Sequence, residues 1–312
     1  MSWQPIVVGV DASPEAAGAA AFAVRMSQRA GTSCHLVHAA RDAWASVGVE
    51  EGVDELWHAL IDQARANITA VLAGVVPREL VDEMTVRLGR APLVLKQAVS
   101  ELGAELVVLG GKHHSALGRW LGGSTSLNVA RTTDAPVLVV AGSPAVIRRV
   151  LVAVDGSAAS RPTLEAADRY AALFGAKLRA LSVLEPLVRE PLPVIPDVTQ
   201  PYETGEYYAM SEELLKRDVW PLICTPGVER IVRYGMAVET IRREATEWQA
   251  DLLIAGSHGR GWTERMLVGS VTERLLNHLP TSLLVVPVRA DTVADEDDAG
   301  GVELSQALVA IA

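Results

Sequence analysis

The sequence predicts an α/β protein of two tandem domains, each a parallel sheet covered on both faces by helices. Three observations predict it. The chain repeats itself: "IVVGVDAS" (6–13) returns as "VLVAVDGS" (150–157), "AELVVLGG" (104–111) as "ADLLIAGS" (250–257), and "APVLVVA" (135–141) as "TSLLVVP" (281–287), in the same order. Short continuous apolar runs recur in each copy, the pattern of strands buried on both faces. Between them lie longer stretches with helical spacing, and such alternation builds a parallel sheet clothed in helices.

In chain order, the first strand is "IVVGV" and ends at Asp11. "RAGTSCHLVHA" (29–39) carries Cys34 in a second strand and returns as "LFGAKLRALSV" (173–183). Residues 54–72 predict an amphipathic helix, with Leu56, Leu60, Ile61, Ala64, Ile68, Val71 and Leu72 along one stripe. "VRLGRAP" (86–92) returns as "VRYGMAV" (232–238). "LVVL" and "VLVV" complete the first copy, and "VLVAV", "LLIA" and "LLVV" mark the second. Residues 186–207 interrupt the second copy with five prolines and predict a loop or lid, because proline has no amide donor and disfavours helix before it. The copies join near "GSPAVIRR" (142–149), which sets domains at 1–144 and 145–290, followed by an acidic, flexible tail at 291–312. Within that tail, "VELSQALVAIA" (302–312) has the composition of a short apolar helix. Trp57, Trp120, Trp220, Trp248 and Trp262 are scattered and read as core or interface packing.

The totals exclude several function classes. A net charge of −10 repels a nucleic-acid backbone but leaves room for one nucleotide in a local pocket. No run approaches the ~18 apolar residues of a membrane span, and "MSWQPIVVGVDAS" does not read as a signal peptide. Two cysteines, Cys34 and Cys224, are no disulfide framework and fit a reducing compartment. The expectation is a cytoplasmic protein with no nucleic-acid or membrane partner.

Open α/β sheets bind ligands beyond the carboxyl ends of their strands, so the residues just after each strand carry the functional interest. Asp11 and Asp155 stand there, 144 residues apart. Such a carboxylate either accepts hydrogen bonds from a ribose or base, or caps the following helix with help from Ser13 or Ser157. The richer stretch is "GSHGRGWTERMLVGSVT" (256–272), between a strand and the helix "SVTERLLNHL", whose Leu275, Leu276 and Leu279 share a face. Its glycines let backbone amides approach an anion, and a helix N-terminus adds unpaired N–H groups and partial positive charge. The rival reading is structural: Ser270 and Glu273 have capping-box spacing, which needs no ligand. The stretch is neither a Walker A loop nor a dinucleotide fingerprint. His113, His114 and His258 lack partners at metal spacing, so no metal site is expected. No G-x-S-x-G elbow occurs, and Cys34 reads as a core residue rather than a redox centre.

Gly256, Gly259, Gly269 and Ser270 match G-x2-G-x9-G-[ST] at every spacing. With "VAVDGS", the strand order and the duplication, the chain resembles tandem members of the ATP-binding branch of the universal stress protein family. The resemblance implies two Rossmann-like (adenine nucleotide alpha hydrolase-like) domains, each a five-stranded parallel sheet, with ATP, and Mg2+ accompanying it, beyond the strand ends. In the second copy it places ATP against Ala153, Val154 and Asp155, with Val183 meeting the adenine through its backbone. Gly256, His258 and Gly259 would wrap ribose and phosphates, and Gly269, Ser270, Val271 and Thr272 would supply amides and hydroxyls. Arg260 is a neighbouring cation able to pair with a phosphate. The first-copy counterparts are Gly9, Val10, Asp11, Ala39, Gly110, His113, Gly123, Ser124 and Thr125. That copy departs from the pattern: His113 takes the second glycine position and Ala12 replaces the glycine of "DGS". A left-handed conformation at position 113 would cost histidine what it spares glycine, while Lys112 or His113 would be near enough to touch a phosphate.

The expected function is nucleotide-dependent stress-response regulation without an enzyme's turnover, at most slow ATP hydrolysis or autophosphorylation. One rival is a non-binding interaction protein of the family's other branch. Another is an ATP-dependent adenylating enzyme, for which "DASPEAAG" and "DGSAASRP" offer no pyrophosphate loop. The resemblance also implies that "VLVVA" and "LLVVPV" pair within the chain as a pseudo-dimer, and that two chains associate as a homodimer.

Overall fold

A computed structural model of the chain describes residues 2–40, 53–111, 125–142, 146–186, 204–259 and 268–288. The first copy runs β1 (Ile6–Gly9), α1 (Pro14–Ala30), β2 (Cys34–Ala40), α2 (Val53–Leu72), α3 (Arg78–Asp82), β3 (Thr85–Leu88), α4 (Ala91–Leu102), β4 (Leu106–Gly111), α5 (Thr125–Thr132) and β5 (Val137–Ala141). The second runs β6 (Arg149–Ala153), α6 (Ser160–Phe174), β7 (Lys177–Leu184), α7 (Thr204–Leu214), β8 (Glu229–Tyr234), α8 (Ala237–Glu247), β9 (Leu252–Gly256), α9 (Ser270–Asn277) and β10 (Ser282–Val286). A π-helical turn, Leu215–Val219, extends α7.

All ten strands form one sheet, ordered β3-β2-β1-β4-β5-β10-β9-β6-β7-β8. Within each copy every pairing is parallel, and the order reverses beside the first strand, at β1/β4 and again at β6/β9. The copies meet where β5 and β10 pair antiparallel, Leu284 opposite Leu138, so "VLVVA" and "LLVVPV" do form the pairing within one chain. The central strands β1, β4, β5, β10, β9 and β6 are nearly all apolar because both faces are covered. Ile6, Val8, Leu106 and Ile254 belong to one core, while Val7, Val107, Leu253 and Leu283 belong to the other. Both cores run through the two copies.

Side chains fasten the joint. Phe22 of α1 and Phe174 of α6 lie with ring centroids 6.1 Å apart. Trp3 packs edge-on against Tyr170 and under the Arg169 guanidinium, which also reaches Glu105 at 2.9 Å. Arg131 of α5 pairs with Glu273 of α9 at 2.9 Å. Leu279 lies so close to Gly111 that a Cβ there would stand 2.6 Å from Leu279 Cδ1.

Three sequence expectations are corrected. In α2, Leu60 is 37% exposed, while Ile68 and Leu72 are buried, so the apolar stripe is seated in the second half of the helix. Leu279 lies past the end of α9, which stops at Asn277, and serves the joint between copies instead of the helix face. The segment 186–207 is not a loop throughout: α7 begins at Thr204, and residues 187–203 lie outside the described residues, as does the 291–312 tail. Trp220 and Trp248 pack against the cores, whereas Trp120, Trp262 and the side chain of Trp57 are outside the description.

Cys34 opens β2, and burial pushes its thiol up to about 12, whereas Cys224 is exposed. Only the thiolate attacks maleimide, and at pH 8 that leaves on the order of one Cys34 in 10,000 reactive. One thiol per native chain should therefore label quickly, the second only on unfolding. Mass spectrometry showing two rapid additions would contradict the placement of Cys34.

Candidate functional site

The second copy contains a cavity of about 370 Å³ beyond the strand ends. The ends of β6, β7 and β9 form its floor, with Ala153, Val154 and Asp155, then Leu181, Val183 and Glu185, then Ala255, Gly256, His258 and Gly259. Walls come from α6 (Ser160, Thr163), α7 (Tyr207), α8 (Ala237, Ile241) and the start of α9 with Gly269 before it (Gly269, Ser270, Val271, Thr272). The cavity thus sits at the β6/β9 order reversal, where the chain leaves neighbouring strands toward opposite faces. Of the twelve second-copy positions named from sequence, eleven line it; Arg260 lies outside the described residues.

At one end is the start of α9. The sequence allowed Ser270 to cap this helix in a box with Glu273, but Gly269 occupies the cap position, and no side chain caps the helix. Ser270 is therefore the first helical residue, one place too late. Glu273 turns away to Arg131. The Gly269 amide donates to Ser257 O at 2.7 Å, so it is spent on the fold, contrary to the sequence expectation. Among the described residues the amides of Ser270, Val271 and Thr272 remain as the orphan donors of the first turn, carrying the partial positive charge of a helix N-terminus. Thr272 is buried, and its Oγ1 donates to Gly256 O at 2.7 Å, tying α9 to the end of β9, so its hydroxyl is committed as well.

Asp155 lies midway, half-buried. Its Oδ1 accepts from the Ser157 amide at 3.1 Å and the Ser157 hydroxyl at 2.6 Å, the Asx turn that sequence allowed. Its Oδ2 faces Gly259, where a Cβ would lie 2.5 Å away. That contact explains the second glycine of the motif. Gly259 is not left-handed, so the backbone argument applied to its counterpart, His113, is replaced by a steric one. Close to it, His258 Nδ1 and Ser257 Oγ are 2.9 Å apart.

At the far end, β7 outruns β6. The carbonyl of Leu181 still accepts from Val154 N–H at 3.0 Å. Backbone groups two residues apart on a strand point the same way, so the Val183 amide and carbonyl face the cleft beyond the end of β6. The Leu184 carbonyl points away, to the Gly235 amide at 3.1 Å. Glu185 follows, its Oε1 accepting from Ala237 N–H at 2.7 Å.

The first copy differs at the same stations. Gly9, Val10, Asp11, Ala39 and Gly110 stand at the ends of β1, β2 and β4, and Thr125 opens α5; His113, Gly123 and Ser124 lie outside the described residues, with Lys112 and His114. Asp11 is exposed; its Oδ1 accepts from the Ser13 amide at 3.0 Å and from the Ser13 hydroxyl, as Asp155 does from Ser157, and Ser13 Oγ also caps α1 by accepting from Ala16 N–H at 3.2 Å. In the second copy Gly156 takes φ +79° and the helix starts only at Ser160; Ala12, with its Cβ, takes no such conformation, and α1 starts at Pro14, two positions earlier. Leu109 faces Gly9 across the strand pair where Ala255 faces Ala153, and a Cβ at Gly9 would stand 2.5 Å from Leu109 Cδ2.

Sequence reasoning missed Ala159, Ser160, Thr163, Leu181 and Ala255, and, at the β7 end, Glu185, Tyr207, Ala237 and Ile241. The repeat offered a signal for Ala237 and Ile241, which lie in the first half of the helix after "VRYGM", but none for Tyr207, hidden in the proline-rich insertion. Among the described residues no group of His, Cys, Asp and Glu could hold a metal, and no helix is long and apolar enough to cross a membrane.

Comparison with known proteins gives a consistent result. The model of a family described as the universal stress protein family matches residues 2–141 and 147–287. A universal stress protein of Mycolicibacterium smegmatis is 30% identical over 295 residues, covering 91% of this chain and 97% of that protein. One from Mycobacterium tuberculosis is 31% identical over 188 residues, 58% of this chain and 61% of its own length. Among solved structures, a universal stress protein from Archaeoglobus fulgidus shares the fold at a TM-score of 0.57 and 16% identity, with 93% of this chain and 98% of that one covered.

Proposed function

The chain belongs to the universal stress protein family, carrying its domain twice, and on that premise we propose that it is an ATP-binding stress-response regulator. One observation carries the reading: an uncapped helix N-terminus and a strand-end carboxylate face one cavity at the switch point of the second copy. The amides of Ser270, Val271 and Thr272, with the Ser270 hydroxyl, hold the phosphates. Gly256, His258 and Gly259 wrap the ribose, whose hydroxyls donate to Asp155. The Val183 amide and carbonyl match the acceptor N1 and donor amino group along one edge of adenine. Gly269 and Val154 keep the backbone close, and Arg260 supplies a cation near the phosphates. Any accompanying Mg2+ would be held by the ATP phosphates, since no group of His, Cys, Asp and Glu among the described residues could hold it. The first-copy positions, from Gly9 to Thr125, form a second, weaker site, because Asp11 is exposed and its turn lacks the left-handed glycine.

We read binding rather than turnover, with at most slow hydrolysis or autophosphorylation, since Asp155 Oδ1 is committed to Ser157 instead of an attacking water. Cytoplasmic placement and a homodimer of chains belong to the same proposal.

Mass spectrometry of nucleotide released from the denatured protein, followed by calorimetric titration of ATP into the stripped protein, tests it. The expected result is bound ATP, with affinity lowered roughly tenfold or more by Asp155→Ala, a loss separate from the ~1–2 kcal/mol of stability that goes with the two Ser157 bonds. No released nucleotide and no heat on adding ATP would sink the proposal.

A further inference from the structure

We propose that Glu185 and Tyr207 select the base at the β7 end of the second-copy cavity, Tyr207 stacking on a purine face and Glu185 accepting from its exocyclic amino group. This rests on the nucleotide reading and adds to it a preference for 6-amino over 6-oxo purines.

The cavity has a direction. Across the sheet, β9, β6 and β7 lie side by side, so the α9 amides, Asp155 and Val183 follow one another along the cleft. A ligand with phosphates at α9 and sugar at Asp155 brings its base to the β7 end. There Tyr207 borders the cavity while only 9% exposed. Its ring lies 5.5 Å from Tyr208, which lies 4.5 Å from Tyr234, so the three rings form a braced row. An aromatic ring that is held in place stacks on a base with little ordering cost, an effect worth roughly five- to 150-fold in affinity.

Glu185 faces the same end. One oxygen is fixed by the Ala237 amide at the first residue of α8; the other has no partner among the described residues. A carboxylate only accepts, so Oε2 suits the adenine amino group and opposes a carbonyl at the same ring position. Guanine offers two neighbouring donors, N1–H and the 2-amino group, on that same edge, but reading both takes two free oxygens, and Glu185 has one committed. The Val183 amide–carbonyl pair favours the same base, and Glu185 adds the acceptor beyond it.

Calorimetry with ATP, inosine triphosphate and tripolyphosphate tests this on the full chain. Glu185→Gln keeps the bond to Ala237 and turns the free oxygen into an N–H donor. It should lower the ratio of ATP to inosine triphosphate affinity by about tenfold or more. Tyr207→Ala should weaken both nucleotides by roughly tenfold or more and leave tripolyphosphate unchanged, while Tyr207→Phe keeps full affinity. Should Tyr207→Ala unfold, the exposed Glu185→Gln variant decides. Wild-type protein that binds ATP, with both variants unchanged, overturns the base-selection proposal alone. Wild-type protein that binds no ATP overturns it together with the nucleotide reading.

Discussion

Ser270→Asp is expected to stabilise the protein slightly and to abolish ATP binding. Ser270 is exposed at the first position of α9, where no side chain caps the helix. A carboxylate there complements the helix N-terminus and should add about 0.3–1 kcal/mol to stability. The same charge stands where the phosphates are to be bound. At ~4 Å and an effective dielectric of ~20, each pair of like charges costs about 4 kcal/mol, so affinity should fall at least ~100-fold. The opposite signs are the point: a purely structural α9 predicts the gain without the loss. Ser270→Ala, which removes one hydroxyl and leaves the amides, should cost far less. Melting curves and calorimetry on the three proteins check the outcome, and undiminished ATP binding in Ser270→Asp would move the phosphates elsewhere.

Gly110→Ala should be the most damaging single methyl in the chain's paired glycines. A Cβ there would stand 2.6 Å from the carbonyl carbon and oxygen of Glu15 and 2.8 Å from the Ala16 amide. These are backbone atoms in the first turn of α1, so either α1 or β4 must move. Overpacking of this kind costs about 1–3 kcal/mol, and more where backbone is the obstacle. Gly256, its counterpart, meets the Ala159 methyl at 2.9 Å and both the His258 carbonyl oxygen and the Thr163 hydroxyl at 3.1 Å. These gaps are wider than those at Gly110, so Gly256→Ala should lose clearly less. Urea denaturation of both variants decides it; equal losses would mean that α1 yields as easily as the looser surroundings of Gly256.

The strands were legible because both faces of the sheet are covered, which writes runs such as "IVVGV" and "LLIA" directly into the chain. The joint between copies was legible from duplication. The start of α9 was not, because a capping box and a glycine cap differ by one residue, and only the Arg131 partner of Glu273 breaks the tie. Gly259 was recognised by spacing, but its cause, the Asp155 carboxylate 104 positions earlier in the chain, is a contact that no local pattern reports. Tyr207 was hidden for the same reason. The residues before it form a proline-rich insertion with no counterpart in the repeat, and its place at the cavity depends on where α7 lands.

The antiparallel β5–β10 pairing also governs what each copy is when taken alone. Val137–Ala141 and Ser282–Val286 are almost wholly buried, yet each is the last strand of its own five. Cut free, either would present a flat row of unsatisfied amides and carbonyls between apolar side chains, the template on which chains stack into aggregates. The outermost strands are built otherwise: β3 carries Thr85 and Arg87, and β8 carries Glu229, Arg230 and Arg233. Each duplicated half thus covers the edge on which the other would otherwise aggregate. Neither copy can drift away from its partner along that seam, however far their clefts diverge.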